Sequence, residues 1–526
     1  MGDQKSDPNV VPGTLELHSP KKPKRNAFAF GCAVLASTMA CILGYDVGVM
    51  SGAVIFIQKD LNLNDVQVEI MMGIINLYAL IGAIAAGRTS DYLGRRYTIV
   101  IAAIILFIGA LLMGLAPNYA VLMLGRAFAG VAIGFAITAP VFIAEIAPAS
   151  SRGFLASLPE VIVNFGILLG YVSNFAFQKL PEHLNWRVML GLGAIPSVLI
   201  GIGILFMPES PRWLVMQGRL GEARRVLIRV SDSEAEAESR LSDIKEAAGI
   251  QDHYNDDVVQ VTKKSHGEGV WKELILHPTP SVRRVLIAAV GIHFVQQSSG
   301  VDTVVLYSPR IFKTAGITGN SALLGASVAV GFVKTGMILV ATFLLDRVGR
   351  RPLLLGSLGG MVGCLAVLAT SLTIIDHHHG ETKLWWAIGV AVVMALGFVG
   401  CFSIGLGPIA WVYSSEIFPL RLRAQGVSIG LSVNRVTSGV IGMTFLSLTK
   451  AITVGGAFFL FCGIAFLGWV FCYTWLPETQ RRTLEEMDEL FGESDWRSTA
   501  KRMRERDEES VKKRAVEHMN IVAGSS

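Results

Sequence analysis

Twelve apolar segments, each about as long as a helix that crosses a bilayer, constrain this chain more than any other feature. A helix needs roughly 20 apolar residues to span the hydrocarbon core. A lipid-exposed segment satisfies its own backbone hydrogen bonds best as a helix, and the alternation of a membrane β-barrel is absent. The sequence therefore predicts an all-α membrane protein with twelve transmembrane helices, surrounded by a lipid bilayer. The segments occupy residues 28–50, 70–87, 98–116, 121–144, 157–177, 188–207, 284–308, 322–345, 353–375, 385–413, 425–448 and 456–476.

Composition and charge agree with a membrane protein and predict its orientation. Of the 526 residues, 52% are hydrophobic and only 17% are charged, which is too apolar for a soluble protein of this length. The basic residues collect in alternate loops, and such loops face the cytoplasm. We therefore expect both termini in the cytoplasm. The net charge of +5 reflects this topology, so we expect no nucleic-acid partner. No retention signal is visible at the C-terminal end, which favours the plasma membrane.

The two sets of six segments repeat one another in parallel. GRTSDYLGRR follows the second segment and LLDRVGRR the eighth; PVFIAEIAPASSRG follows the fourth and WVYSSEIFPLRLRA the tenth; PESPRWL ends the sixth and PETQRR the twelfth. Three matched landmarks in the same order are not expected by chance. The predicted organisation is a tail (1–26), an N-terminal six-helix bundle (27–207), a helical linker (208–282), a C-terminal six-helix bundle (283–476) and a second tail (477–526).

With these motifs the chain resembles the sugar porters of the major facilitator superfamily, and most of all the plant polyol and monosaccharide proton symporters. Most of the resemblance rests on PESPRWL, QQSSG (296–300) and PETQ. The two loops that end in Gly-Arg-Arg (residues 87–96 and 344–351), called the first and second GRR loops below, are shared more widely. The resemblance implies two six-helix halves that rock about a solute site near the membrane midplane. It implies a proton-coupled symporter of sugar alcohols or monosaccharides, which we expect to work as a monomer.

Asp46 is the candidate proton carrier, because an ionisable residue inside an apolar segment is costly and marks a functional site by default. Its predicted partner is Arg126, just inside the fourth segment. The resemblance supports coupling, since proton-coupled sugar porters have aspartate here and facilitative relatives typically have asparagine. The alternative is a permanently paired, structural aspartate.

The resemblance also implies a set of residues that line the solute cavity. Amides donate and accept hydrogen bonds at once, which suits vicinal hydroxyl groups, and an indole packs against the C–H face of a polyol. Two positions depart from hexose carriers by being charged, and we predict that Glu160 and Arg435 form an ion pair between the halves. The alternative is a protonated Glu160 and an Arg435 that reaches water. The cavity set is Glu160, Gln296, Gln297, Asp302, Trp411, Asn434 and Arg435.

The repeated loop motifs predict a conformational latch, in which carboxylates and guanidinium groups pair near helix ends. The simpler alternative is that the arginines only orient the segments. The resemblance implies that Glu145 with Arg152 and Glu416 with Arg423 complete the network, and none of these residues is expected to touch solute. The latch set is Asp91, Arg95, Arg96, Glu145, Arg152, Asp346, Arg350, Arg351, Glu416 and Arg423.

Other functions are less well supported by the sequence. A uniporter of the same fold is the nearest rival, and a transporter-like solute sensor is disfavoured because the tails are short. Repeated latch motifs argue against a channel, and no nucleophile and base stand out to suggest an enzyme. We expect no cofactor and no metal site: the histidines at 377–379 lie in a predicted loop, and the six cysteines lie inside segments as packing residues.

Overall fold

The structure is a computed structural model. It describes residues 26–148, 150–248, 250, 274, 276, 278–378, 384–418, 422–479 and 491, without the side chains of Arg152, Gly153, Ala247, Ala248, Asp346 and Ala424. The predicted tails, apart from residues 26, 477–479 and 491, and most of the predicted linker after residue 248 lie outside these residues.

The described residues form helices and no strands. Their order is α1 (Ala27–Asp60), α2 (Asp65–Leu93), α3 (Arg95–Gly114), α4 (Tyr119–Ala136), α5 (Thr138–Ile146), α6 (Arg152–Phe177), α7 (Glu182–Gly191), α8 (Ala194–Leu205), α9 (Pro211–Met216), α10 (Leu220–Val230), α11 (Glu234–Ala248), α12 (Pro280–Ser298), α13 (Val301–Thr314), α14 (Asn320–Val348), α15 (Arg350–His377), α16 (Trp385–Ile404), α17 (Leu406–Ile417) and α18 (Arg423–Trp475).

The predicted apolar segments correspond to these helices, although not always one to one. Ten helical stretches in the described residues are long and apolar enough to cross a membrane. One of them, α18, contains the last two predicted segments, which are separated by non-helical backbone at Ile452 and Thr453. The seventh predicted segment is divided into α12 and α13 at Gly300, whose φ of +83° suits a residue without a Cβ.

The helices pack into two halves. The N-terminal half contains α1–α8 and the C-terminal half contains α12–α18; they meet mainly along α2 with α18 and α6 with α14. The linker helices α9–α11 form a small apolar core of their own around Leu214, Leu227 and Leu241. We call the end of the bundle that carries α9–α11 and the repeated loops the linker side, and the other end the opposite side.

The linker helices are attached to the first half by hydrogen bonds. Asn26 caps α1, and its amide donates to the backbone oxygens of Arg229 and Ser231, both at 2.8 Å. Trp213 donates from its indole to the Asp91 carbonyl oxygen at 3.0 Å. These bonds place α9–α11 beside the first GRR loop.

Candidate functional site

Asp46 and Arg126 form a buried ion pair inside the N-terminal half. The Arg126 Nη1 atom lies 2.8 Å from Asp46 Oδ2, and the two side chains are 1% and 7% exposed. Gly44 and Gly48 flank Asp46 on α1, and a Cβ at either one would meet the α6 backbone within 2.3 Å. The glycines therefore let α6 pack closely against α1 and enclose the aspartate.

Arg126 also contacts a third helix. Its Nε atom donates to the backbone oxygen of Met71 on α2 at 3.2 Å. The guanidinium of α4 therefore holds both the carboxylate of α1 and the backbone of α2. Any change in the charge of Asp46 acts on a group that also bonds to α2.

Three of the predicted cavity residues form a connected amide cluster in the C-terminal half. Asn434 donates to Gln296 Oε1 at 2.7 Å, and Gln297 donates to Asn434 Oδ1 at 3.2 Å. Gln296 donates in turn to the Gly407 backbone oxygen at 2.8 Å, at the start of α17. The break at Gly300 ends α12 just after the two glutamines. The structure thus brings α12, α17 and α18 together at these amides.

The predicted cavity residue Asp302 belongs to a second polar group, which joins the two halves. Ser438 on α18 donates to the Asp302 carboxylate. Asn76 on α2 donates to Ser438 at 3.0 Å, and its side-chain oxygen accepts a hydrogen bond from Arg435 at 3.4 Å. Asn76 is therefore the N-terminal-half member of this group.

The predicted ion pair between Glu160 and Arg435 is not formed in this structure. No ion pair within 4 Å joins them, although both are described with their side chains. The Asn164 amide nitrogen lies 3.4 Å from Glu160 Oε1, and Glu160 interacts electrostatically with both Lys334 on α14 and Arg435. Lys334 also interacts electrostatically with Asp302. The prediction named Arg435 as the cation for Glu160. The structure adds a second cation, Lys334, which the prediction did not include.

The contacts between the halves are unequal at the two ends. On the opposite side, Lys450 pairs with Asp65 at 2.6 Å, and Glu69 accepts hydrogen bonds from the Ser447 backbone and hydroxyl, each at 2.6 Å. Arg310 approaches Asp65 at 3.5 Å. On the linker side, no hydrogen bond or ion pair between described residues connects the two halves. The halves are thus joined at the cavity and on the opposite side.

The first GRR loop forms a network within the N-terminal half. Arg95 pairs with Glu145 at 3.1 Å and approaches Asp91 at 3.5 Å. The Glu209 carboxylate accepts hydrogen bonds from the backbone N–H groups of Arg95 and Arg96 at 2.9 and 3.1 Å, so it caps α3. Ser210 donates to Glu145. Burial raises the pKa of Glu209, while these backbone N–H groups oppose the rise.

The second half repeats this network with its own residues. Arg350 pairs with Glu416 at 3.0 Å, and Glu478 accepts from the backbone N–H groups of Arg350 and Arg351, each at 3.0 Å. Thr479 donates to Glu416 at 2.6 Å. The Pro-Glu-Ser and Pro-Glu-Thr motifs were recognised in the sequence, but the capping role of their glutamates was not.

The remaining latch predictions divide into two groups. The side chains of Arg152 and Asp346 lie outside the described residues. Arg423 makes no ion pair with Glu416 within 4 Å; its Nε atom donates to the Phe418 backbone oxygen at 3.4 Å. The oxygens of Glu416 accept instead from Arg350 and Thr479.

Comparison with known proteins decides the family. The profile described as "Sugar (and other) transporter" matches residues 32–491. The chain belongs to this sugar transporter family. It is 62% identical to Polyol transporter 5 of Arabidopsis thaliana over 499 residues, which cover 94% of this chain and 92% of that protein.

Solved structures of the major facilitator superfamily share the fold of this sugar transporter. The proton:xylose symporter XylE bound to 6-bromo-6-deoxy-D-glucose has a TM-score of 0.72 and 25% identity, over 89% of this chain and 100% of that chain. An inward open conformation of XylE from E. coli has a TM-score of 0.70 and 24% identity, over 88% and 100% of the two chains. These proteins are multi-pass membrane transporters and not enzymes.

Proposed function

We propose that this sugar transporter is a proton-coupled symporter of sugar alcohols, monosaccharides or both, which works by alternating access. The observation that carries the proposal is the buried Asp46–Arg126 pair, because a carboxylate held by one guanidinium inside a membrane bundle is suited to bind and release a proton. The name of the Arabidopsis relative supports a polyol as solute, and XylE is described as a proton:xylose symporter.

Protonation of Asp46 would act on the halves through α2. A neutral Asp46 leaves the Arg126 charge buried and unpaired, which is strongly unfavourable, so the packing around it must change. Arg126 also bonds to Met71 on α2, and Asn76, five residues further along α2, contacts Ser438 and Arg435 of the other half. We place the coupling between proton and solute along this segment of α2.

The solute binds, in this proposal, at the amide cluster of Gln296, Gln297 and Asn434 with the indole of Trp411. The three amides bond to one another. Hydroxyl groups can replace these bonds because they too donate and accept. The charged residues Glu160, Asp302, Lys334 and Arg435 balance in sign and provide further hydrogen-bonding groups for a solute with many hydroxyls.

Alternating access is supported by the unequal contacts between the halves. With the opposite side joined, we propose that a solute enters or leaves at the linker side and that this side, which carries the basic loops, faces the cytoplasm. The two loop networks join helices within each half on that side, and we propose that they act as the latch when the halves meet. We further propose a monomer in the plasma membrane with both termini in the cytoplasm.

Transport in proteoliposomes tests the proposal. Purified protein with an imposed proton gradient is assayed with a panel of polyols and monosaccharides, and solute-induced proton flux is recorded. We expect Asp46→Asn to abolish accumulation against a gradient while solute exchange continues, because asparagine keeps the shape but cannot titrate. Asp60→Asn is a matched control, since Asp60 is also on α1 and pairs with Arg187 at 3.0 Å within the same half.

A uniporter is the second candidate. The Asp46–Arg126 ion pair would favour it if the two side chains stayed paired throughout the transport cycle. A uniporter would equilibrate solute without proton flux, and Asp46→Asn would then change the rate alone. Full accumulation by Asp46→Asn would rule out Asp46 as the proton carrier.

A further inference from the structure

His293 lies behind the proposed solute residues and has no part in the function described so far. It is on α12, one turn before Gln296, and its side chain is fully buried. The Nε2 atom lies 3.3 Å from the Ser414 hydroxyl on α17. A buried titratable side chain at this depth in a membrane bundle requires an explanation.

The hydrogen bonds around His293 fit a neutral imidazole with its proton on Nε2. Ser414 uses its hydroxyl hydrogen to donate to the Trp411 backbone oxygen at 3.0 Å. With this bond made, the Ser414 oxygen is left to accept, which fits a proton on His293 Nε2. The Nδ1 atom has no hydrogen-bond partner. A protonated Nδ1 would be a buried, unpaired donor on a charged ring, which is costly.

The imidazole also supports the indole of Trp411 directly. The two ring centroids are 5.4 Å apart with an interplanar angle of 77°, an edge-to-face contact. Gly430 of α18 packs against the imidazole, and a Cβ at this glycine would lie 2.6 Å from His293 Cδ2. The imidazole is thus held between α17 and α18. It contacts the Trp411 indole directly, and it also contacts Ser414, which donates to the Trp411 backbone oxygen.

We propose that His293 is a positioning residue, which fixes the Trp411 indole for solute binding through a neutral imidazole and does not carry the transported proton. The inference rests on the proposed function, because it assigns Trp411 to the solute site. It predicts that His293 determines how tightly solute binds and leaves the proton dependence of transport unchanged.

Three variants separate the contributions of the imidazole. His293→Gln keeps a donor near the Nε2 position but loses the ring contact, and His293→Phe keeps a ring but loses the donor. Each removes one interaction, so we expect the apparent KM to rise about three- to tenfold, with a maximal rate within about twofold of wild type. Gly430→Ala, which displaces the ring, should raise the KM in the same direction. Gly463→Ala on the same helix is the control, since nothing lies within 4 Å of the added Cβ.

The experiment measures initial uptake against solute concentration at several pH values, normalised to folded protein in the membrane. An unchanged KM in both His293→Gln and Gly430→Ala would overturn the positioning role. A loss of proton dependence in His293→Gln would overturn the neutral role and make His293 a proton carrier. Absence of polyol or sugar uptake by the wild type would instead refute the proposed function. The positioning role is supported only if KM rises and the pH profile retains its shape.

Discussion

Glu69 provides a direct test of how the opposite side is held closed. Its carboxylate is 2% exposed, and both oxygens accept hydrogen bonds from Ser447 of the other half at 2.6 Å. Glu69→Gln keeps one acceptor oxygen but turns an NH₂ group toward a donor. A hydrogen bond to a charged group contributes about 1.5–3 kcal/mol. Losing one should therefore shift the balance from closed to open on this side by roughly 10- to 150-fold.

The shift can be measured as a change in distance between the halves. Spin labels at Lys179 and His377, both exposed on the opposite side, report the separation by pulsed electron paramagnetic resonance in a cysteine-free background. We expect Glu69→Gln to add a population at longer distance. Asp60→Asn is the matched control, because Asp60 also accepts two side-chain hydrogen bonds, but from Trp186 and Arg187 within one half. An unchanged distribution for Glu69→Gln, or an equal change in the control, would refute the reasoning.

Lys334→Gln should reduce solute uptake several-fold by removing one of the two cations that interact with Glu160, and adding Glu160→Gln should recover part of the loss; strictly additive effects on KM would argue against coupling. Gly94→Ala should lower the melting temperature, because Gly94 has a φ of +96° and a Cβ would lie 2.4 Å from Glu209, whereas Gly87→Ala in open space should not. Since burial raises the pKa of Glu209, this residue stabilises the fold most at acid pH, and less as pH rises through its pKa. Glu209→Gln should remove that part of the pH dependence of the melting temperature, and an unaltered dependence would assign it to another group.

The sequence predicted the helices and the Asp46–Arg126 contact for a common physical reason. Long apolar runs without alternation form helices in lipid, and a buried carboxylate requires a cation on a neighbouring helix. The loop residues were predicted by repetition, although the pairing of individual residues was not. Glu416 pairs with Arg350 and not with Arg423, because sequence spacing does not tell which of two nearby arginines reaches the carboxylate.

The residues that were missed differ in how strong a signal the sequence held for them. Lys334 is an ionisable residue inside a predicted segment, so the rule that selected Asp46 also applies to it. Glu69 precedes its apolar segment by one residue and reads as a boundary residue. Asn76 and His293 have no charge pattern, and their importance depends on contacts with α17 and α18, far away in the chain. Those contacts required the tertiary structure.

The repeats also explain why the loops were more predictable than the cavity. Each half must keep its own helices in register on the linker side, so both halves use an arginine, a glutamate and a capping Pro-Glu motif in the same arrangement. In the cavity, by contrast, the two halves have different functional residues. The buried ion pair lies in the N-terminal half and the amide cluster in the C-terminal half, so a repeat of one cannot predict the other. Asp46 and the amides lie in different halves. Proton binding and solute binding can therefore influence each other through α2, which bonds both to Arg126 and to Ser438.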